Sequence, residues 1–142
     1  MTIYFDMDGT IADLYADPNW LDKLRAYDPA PYRDAAPLVR LSQLARKLNK
    51  LQRAGYTIGI ISWLSKTSTP EYDSAVTAAK LEWLHKHLPS VKWDKIHIVS
   101  YGTNKWNVCG EGILFDDEQR NRDDWKGISY HPMFIMDVLS TL

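Results

Sequence analysis

Two aspartates follow a short apolar run near the start of the chain. The run 2–5 has the composition of a strand, and Asp6 and Asp8 come directly after it. Carboxylates about 4 Å apart repel by roughly 1 kcal/mol in water and by about 4 kcal/mol at an effective dielectric of about 20, so the pair favours a cation. Gly9 permits a tight bend, and the Thr10 hydroxyl can bond within the loop. An Asx turn leading into a helix is the alternative.

The composition of the chain limits its class. A length of 142 residues, with 45% hydrophobic and 25% charged, predicts a single domain over 1–142. A net charge of −1 gives no overall case for binding nucleic acid or membrane. Cys109 is the only cysteine, so no intramolecular disulfide can form. Since the first residues read as a strand and no apolar run could span a bilayer, we expect a cytoplasmic protein.

Hydrophobic periodicity predicts that strands alternate with helices along the chain. After the opening strand, the predicted strands are 56–61, 96–99, 113–115 and 128–130. The predicted helices are 38–54, 71–87, 118–125 and 134–142. This alternation implies right-handed crossovers. The predicted fold is α/β, a three-layer Rossmann-like parallel sheet of about five strands with helices on both faces.

The segment 13–37 is the least regular part of the chain. It holds four of the seven prolines, which exclude a continuous helix, although a short helix at 20–26 fits between two turns. Loops longer than about 12 to 15 residues in a compact domain are usually functional or disordered, and the aromatic content here argues against disorder. We expect a small cap or lid over the ends of the strands, with a plain long connection as the alternative.

Polar residues lie at the carboxyl ends of several predicted strands, which is the edge where a parallel sheet binds its ligands. Ser62 follows the second strand, Asp116 and Asp117 follow the fourth, and Lys105 lies in the loop before the fourth. The carboxyl ends of parallel strands meet at one edge of the sheet, so we expect these side chains near Asp6.

With these residues in order, the chain resembles the haloacid dehalogenase (HAD) superfamily of phosphohydrolases. The resemblance covers the chain to about residue 125 and rests on the segment 6–10, Ser62, Lys105 and the pair at 116–117. It implies that Asp6 attacks phosphorus to form an aspartyl-phosphate and that Asp8 is the general acid and base. It also implies Mg²⁺ as the cofactor.

The resemblance assigns two further sets of residues. The metal ligands it implies are Asp6, the backbone carbonyl of Asp8 and Asp116, with Asp117 reaching the ion directly or through water. The groups it implies for substrate binding are Gly9, Thr10, Ser62, the backbone N–H of Trp63, and Lys105, which also stabilises the charge of the transferring phosphoryl group. Trp63 departs from the small residue often found after the motif serine.

The substrate class remains open between three interpretations. The segments 112–117 and 125–127 are similar to the 5′(3′)-deoxyribonucleotidase branch, which implies a small phosphorylated substrate of the nucleoside monophosphate type. The loop 65–70 and a basic helix face resemble polynucleotide 3′-phosphatases, whose substrate is a nucleic-acid end; the face consists of Arg40, Arg46, Lys47, Lys50 and Arg53. The third interpretation is a non-catalytic phosphate-binding module. Such a module would lack the nucleophile or the acid, whereas this chain has both Asp6 and Asp8. No feature of the sequence indicates an oligomeric state.

Overall fold

Strand β1 (Thr2–Phe5) forms the centre of a five-stranded sheet in the computed structural model, which describes residues 1–142. It pairs with β4 (Thr57–Trp63) on one side and with β6 (Ile113–Phe115) on the other. The edge strands are β5 (Lys95–Val99) and β7 (Ser129–Tyr130), and all four pairings are parallel. The predicted parallel α/β sheet is therefore confirmed. Its central strands β4, β1 and β6 end side by side.

The remaining elements connect these strands. The helices are α1 (Trp20–Arg25), α2 (Ala30–Arg33), α3 (Leu41–Arg53), α4 (Pro70–His87), α5 (Lys105–Cys109), α6 (Gln119–Asp124) and α7 (Ile135–Leu139). Two short 3₁₀ helices lie at Leu14–Ala16 and Pro132–Phe134, and β2 (Ala12–Asp13) pairs antiparallel with β3 (Ala36–Pro37). No helix combines the length and the apolar character that a membrane crossing requires.

Alternate residues of the central strands face opposite sides of the sheet. Ile3 and Phe5 pack into a buried cluster with side chains of α3, α4 and α7. Tyr4 points to the other side, where it joins Leu114 in a cluster that contacts α5. Each face of the sheet is therefore covered by helices. Full burial of the central strands on both sides explains their continuous apolar sequence.

The segment between β2 and β3 folds as two short helices packed against α4. Tyr32 and Tyr72 share a buried cluster there, and the Tyr72 hydroxyl donates to the Asp28 carbonyl at 2.9 Å. The helix predicted at 20–26 is present as α1, but the sequence did not predict α2. Nor did it predict α5, and Lys105, which was expected in a loop, is the first residue of that helix. Pro31 lies in the first turn of α2, where a proline removes no helical hydrogen bond.

Three element boundaries differ from the predictions by two residues or more. Strand β4 extends to Trp63, because the parallel pairing with β5 continues that far. Helix α3 begins at residue 41 and not at 38, since the N–H of Leu38 donates instead to the carbonyl of Ile11 at 2.9 Å. The last helix ends at residue 139 because the hydroxyls of Ser140 and Thr141 bond to backbone carbonyls, at 2.8 and 2.7 Å, and compete with the helical pattern.

Candidate active site

The loop after β1 turns sharply around the carbonyl of Met7. That carbonyl accepts hydrogen bonds from the backbone N–H groups of residues 10–12, at 3.1, 2.9 and 3.0 Å. Gly9 takes a φ of +81°, and a β-carbon there would lie 2.3 Å from Oδ2 of Asp117. Any other residue at this position would collide with the carboxylate. Glycine therefore allows Asp117 to approach the loop closely.

Three carboxylates meet where β1 and β6 end. Asp6 follows β1 and the pair Asp116 and Asp117 follows β6, so the parallel pairing of these strands brings them together. One oxygen from each of the three carboxylates lies within 4.8 Å of the other two. Asp116 is fully buried and Asp6 is nearly so. The structure thus places three of the predicted metal ligands side by side.

Lys105 supplies a positive charge to this cluster. Asn104 caps α5 by accepting from the N–H of Asn107 at 3.1 Å, which sets Lys105 as the first residue of the helix. The Nζ of Lys105 donates to Asp6 at 2.9 Å and to Asp116 at 2.6 Å. Burial lowers the pKa of Lys105, but the two carboxylates outweigh burial and hold the pKa above its usual range. This lysine is therefore a fixed cation beside Asp6.

One lysine does not balance three carboxylates that lie so close together, two of them buried. Burial raises the pKa of both Asp116 and Asp117, and the nearby charge of Asp6 raises it further. A bound cation would remove this repulsion, and a small set of carboxylate oxygens suits Mg²⁺. The donor set therefore fits the magnesium ion that the sequence predicts.

Asp116 and Thr10 are held by further hydrogen bonds. Asp116 accepts from Asn121 at 3.1 Å; this buried residue on α6 was not among the predicted site residues. The hydroxyl of Thr10 lies 3.1 Å from an Asp6 oxygen and accepts from the N–H of Asp117 at 3.2 Å. Thr10 thus ties the loop after β1 to the loop after β6.

The carboxylate of Asp8 is held separately from this cluster, by Lys80. The Nζ of Lys80 lies 2.7 Å from Asp8 Oδ2, 2.6 Å from the Ser62 hydroxyl and 2.8 Å from the Trp63 carbonyl. Lys80 is 1% exposed, and Ser62 is fully buried. The Asp8 carboxylate therefore binds Lys80 and is not part of the three-carboxylate cluster. This agrees with the prediction that Asp8 binds the metal through its backbone carbonyl and not through its carboxylate.

Lys80 was absent from the residues predicted for the site. It lies on the buried stripe of α4, four residues after Val76 and three before Trp83, and all three are buried. A lysine within an apolar stripe is the signal that could have identified it, because a buried ammonium group requires charged or polar partners.

A cavity of about 540 Å³ opens at these carboxylates. Of the predicted site residues, those that line it are Asp6, Asp8, Trp63, Lys105, Asp116 and Asp117. Gly9, Thr10 and Ser62 lie behind this lining, so the predicted contacts of these three with substrate remain predictions. The outer wall combines aromatic and basic side chains from the segment 13–37 and from the loops after β4 and β5, namely Tyr15, Trp20, Arg25, Tyr32, Lys66 and Tyr101.

The Trp63 side chain forms a fixed part of the cavity wall. Its indole N–H donates to the carbonyl of Thr103 at 2.9 Å. The guanidinium carbon of Arg120 lies 4.7 Å from its ring centre, and the ring centre of Tyr101 lies 5.0 Å away. These contacts hold the ring in one position at the end of β4. The ring therefore narrows the cavity next to Lys105, whose Nζ is 5.5 Å from the ring centre.

The basic face of α3 lies apart from the cavity. Arg46, Lys47 and Lys50 line a separate groove together with Met136 and Ser140. None of the residues that line the carboxylate cavity belongs to α3. A nucleic-acid strand bound only to this face would therefore not contact the residues that line the cavity.

Comparison with solved structures shows where this fold has been seen before. The chain is similar to the crystal structure of D,D-heptose 1,7-bisphosphate phosphatase from Burkholderia thailandensis, with a TM-score of 0.51 and 16% sequence identity. The match covers 86% of this chain and 69% of that one. No protein-family model and no curated protein sequence matches the chain. At this level of identity the likeness is one of fold, and it agrees with the parallel α/β sheet described above.

Proposed function

We propose that this protein is a magnesium-dependent phosphomonoester hydrolase that works through an aspartyl-phosphate at Asp6. The observation that carries the proposal is the setting of Asp6, which lies beside Asp116 and Asp117, is held by Lys105, and opens onto the cavity. A bisphosphate phosphatase with a similar fold supports this class of reaction. So does the order of the motif residues, which resembles that of HAD phosphohydrolases.

The two aspartates after β1 divide the proposed reaction between them. In the first step an oxygen of Asp6 attacks phosphorus and forms a bond to it, while the bond from phosphorus to the leaving oxygen breaks. Asp8 gives its proton to that oxygen. In the second step Asp8 takes a proton from water as the water oxygen attacks phosphorus, which releases phosphate and restores Asp6. Burial raises the pKa of Asp8 although Lys80 acts in the opposite direction, and the raised pKa favours the acid form that the first step needs.

The remaining groups stabilise charge around the transferring phosphoryl group. Lys105 uses two of its three N–H bonds on Asp6 and Asp116, and it also lines the cavity, so the third can reach a phosphoryl oxygen. Bound Mg²⁺, held by Asp6, Asp116, Asp117 and the Asp8 carbonyl, would supply further positive charge to those oxygens. The predicted roles of Ser62 and the Trp63 N–H belong to this step as well.

We further propose nucleoside monophosphates as the substrates. The cavity volume of about 540 Å³ is in the range that holds a small organic ligand. Tyr15 and Trp20 contact each other edge to face on the segment 13–37, with ring centres 4.9 Å apart, and both line the cavity. Such rings can pack against a nucleobase. The segment 13–37 would then act as a small lid over the leaving group. The similarity of the segments 112–117 and 125–127 to 5′(3′)-deoxyribonucleotidases supports the same substrate class.

The test of this function is phosphate release from deoxynucleoside monophosphates by the wild type and two variants. Asp6→Asn removes the nucleophile and should lower turnover by at least about a thousandfold. Asp123→Asn removes an exposed carboxylate on α6 and should leave turnover unchanged. Activity retained in Asp6→Asn would refute the covalent mechanism, and a wild type without phosphatase activity would refute the function.

A polynucleotide 3′-phosphatase is the second candidate. The observation in its favour is that Arg25, Lys66 and Thr67 line the cavity and could contact backbone phosphates of a nucleic-acid end. The separate position of the α3 basic face argues against it. Turnover of a 3′-phosphorylated oligonucleotide and of deoxynucleoside monophosphates should be compared at equal phosphate concentration. A preference of about tenfold or more for the oligonucleotide would favour the second candidate.

A further inference from the structure

Lys80 is a buried ammonium group whose partners account for all of its hydrogen-bonding capacity. A lysine ammonium has three N–H donors. In this structure three acceptors surround Nζ, namely an Asp8 oxygen at 2.7 Å, the Ser62 hydroxyl at 2.6 Å and the Trp63 carbonyl at 2.8 Å. The side chain is 1% exposed and does not line the cavity. No donor of Lys80 is therefore left for a phosphoryl oxygen.

This setting differs from that of the other buried lysine of the site. Lys105 has two carboxylate partners and lines the cavity, so it can contact a substrate. Lys80 reaches the site only through Asp8, Ser62 and Trp63. Any effect of Lys80 on the reaction must therefore pass through those partners.

We propose that Lys80 is a positioning residue that fixes the Asp8 carboxyl group for proton transfer to the leaving oxygen. The inference rests on the proposed function, because it assigns a partner to the acid of that reaction. The Asp8 side chain is 14% exposed and would otherwise be free to rotate toward the cavity or toward the three-carboxylate cluster. The bond to Lys80 restricts it to one orientation. The same ammonium also joins the end of β4 to the loop after β1, through Ser62 and the Trp63 carbonyl.

The segment 13–37 completes the enclosure of this lysine. The ring centre of Tyr32, on α2, lies 4.9 Å from the Lys80 Nζ, and Tyr32 is 4% exposed. An aromatic face attracts a cation, most strongly where water is excluded. The proposed lid therefore contacts the residue that holds the acid. The Lys80 side chain therefore links the packing of the segment 13–37 to the position of the Asp8 carboxyl group.

The test compares two aryl phosphates of similar shape whose leaving groups differ in their need for a proton. The p-nitrophenolate ion is weakly basic and leaves with little protonation, whereas the leaving oxygen of phenyl phosphate is strongly basic and depends on the general acid. In Lys80→Met, kcat/KM for phenyl phosphate should fall at least about tenfold more than kcat/KM for p-nitrophenyl phosphate, because kcat/KM reports the step that expels the leaving group and not the hydrolysis of the aspartyl-phosphate that both substrates share. Lys86→Met, an exposed lysine on the same helix, is the matched control and should change neither.

A structural role alone would predict a different pattern. Equal losses of kcat/KM on both aryl phosphates would overturn the proposal. A wild type inactive on both substrates would instead refute the phosphatase function itself. Because Lys80→Met leaves a buried carboxylate without its partner, a double variant with Asp8→Asn provides a second test that also applies if the single variant does not fold. Compared with Asp8→Asn alone, the double variant should change turnover by less than about twofold, and a further drop of about tenfold or more would contradict action through Asp8.

Discussion

Asp6 and Asp8 are separated by one residue, yet each is held by a different buried lysine. Lys105 binds Asp6 at 2.9 Å, and Lys80 binds Asp8 at 2.7 Å. The two lysines come from α5 and α4, which pack on opposite faces of the sheet. The short loop after β1 is therefore fixed from both sides, and its two carboxylates receive separate surroundings. This separation suits the proposed roles of Asp6 as nucleophile and Asp8 as acid.

Lys105→Met should lower both activity and stability. The substitution leaves Asp6 and Asp116 buried next to each other without their cation, which typically costs about 3 to 5 kcal/mol. Urea unfolding measured in EDTA gives the change in the free energy of unfolding. Lys95→Met is the control, because Lys95 forms an exposed ion pair with Glu111 at 2.9 Å and should change stability far less. Equal losses in the two variants would show that Lys105 is no more than a surface charge.

The sequence was sufficient to predict the order of the five parallel strands and of the longer helices. The strands β1 and β6 are buried on both faces, so their residues are almost all apolar and are easily recognised. The position of Asp6 and of the pair 116–117 then follows from the rule that ligands bind at the carboxyl ends of parallel strands. Helix α2 could not be predicted in this way, because it has only four residues and contains a proline.

The role of Lys80 depends on contacts that the sequence does not show. Its partners Asp8 and Ser62 lie 72 and 18 positions away along the chain. Lysines near apolar stripes more often extend their charged ends to water, so spacing alone predicts a surface position. Only the packing of α4 against the sheet, together with the cover provided by Tyr32, prevents that and directs the ammonium toward the site.

Mg²⁺ should stabilise the folded protein and depend on Asp117 for this effect. A ligand at about 100 times its Kd adds about 2.7 kcal/mol of stability, which corresponds to a rise of several degrees in Tm. The Tm should be measured in EDTA and then in excess Mg²⁺. Asp117→Asn should shrink the magnesium-dependent rise, and in EDTA it should unfold at a higher temperature than the wild type, since one of three crowded carboxylates is gone.

The exposed substitution Asp123→Asn should keep the full magnesium-dependent rise in Tm. If Asp117→Asn responded to Mg²⁺ as strongly as this control, Asp117 would not be a ligand of the metal. Turnover of a phosphomonoester should also stop in EDTA and return with added Mg²⁺.

Cys109 should react slowly with alkylating agents at neutral pH. Burial raises the pKa of its thiol to about 11, from an ordinary value of 9.0. Only the thiolate reacts, so at pH 8 the folded protein should be alkylated by iodoacetamide roughly 100-fold more slowly than the urea-unfolded chain. The rate should rise about tenfold per pH unit between pH 8 and 10, because the thiolate fraction grows in that proportion below the pKa. A rate that levels off below pH 9 would contradict the raised pKa.

Gly9→Ala should abolish activity for a reason that backbone strain alone does not explain. Gly9 has a φ of +81°, and an added β-carbon would lie 2.3 Å from Asp117 Oδ2, so the carboxylate must leave its present position beside Asp6 and Asp116. Gly55→Ala is the matched control, because its φ is +102° and nothing lies within 4 Å of the added carbon. Both variants should lose roughly 1 to 2 kcal/mol of stability from the positive φ, measured by urea unfolding. Only Gly9→Ala should also lose phosphatase turnover and the rise in Tm with Mg²⁺, and if both variants kept them, the position of Asp117 against the loop would not matter for the site.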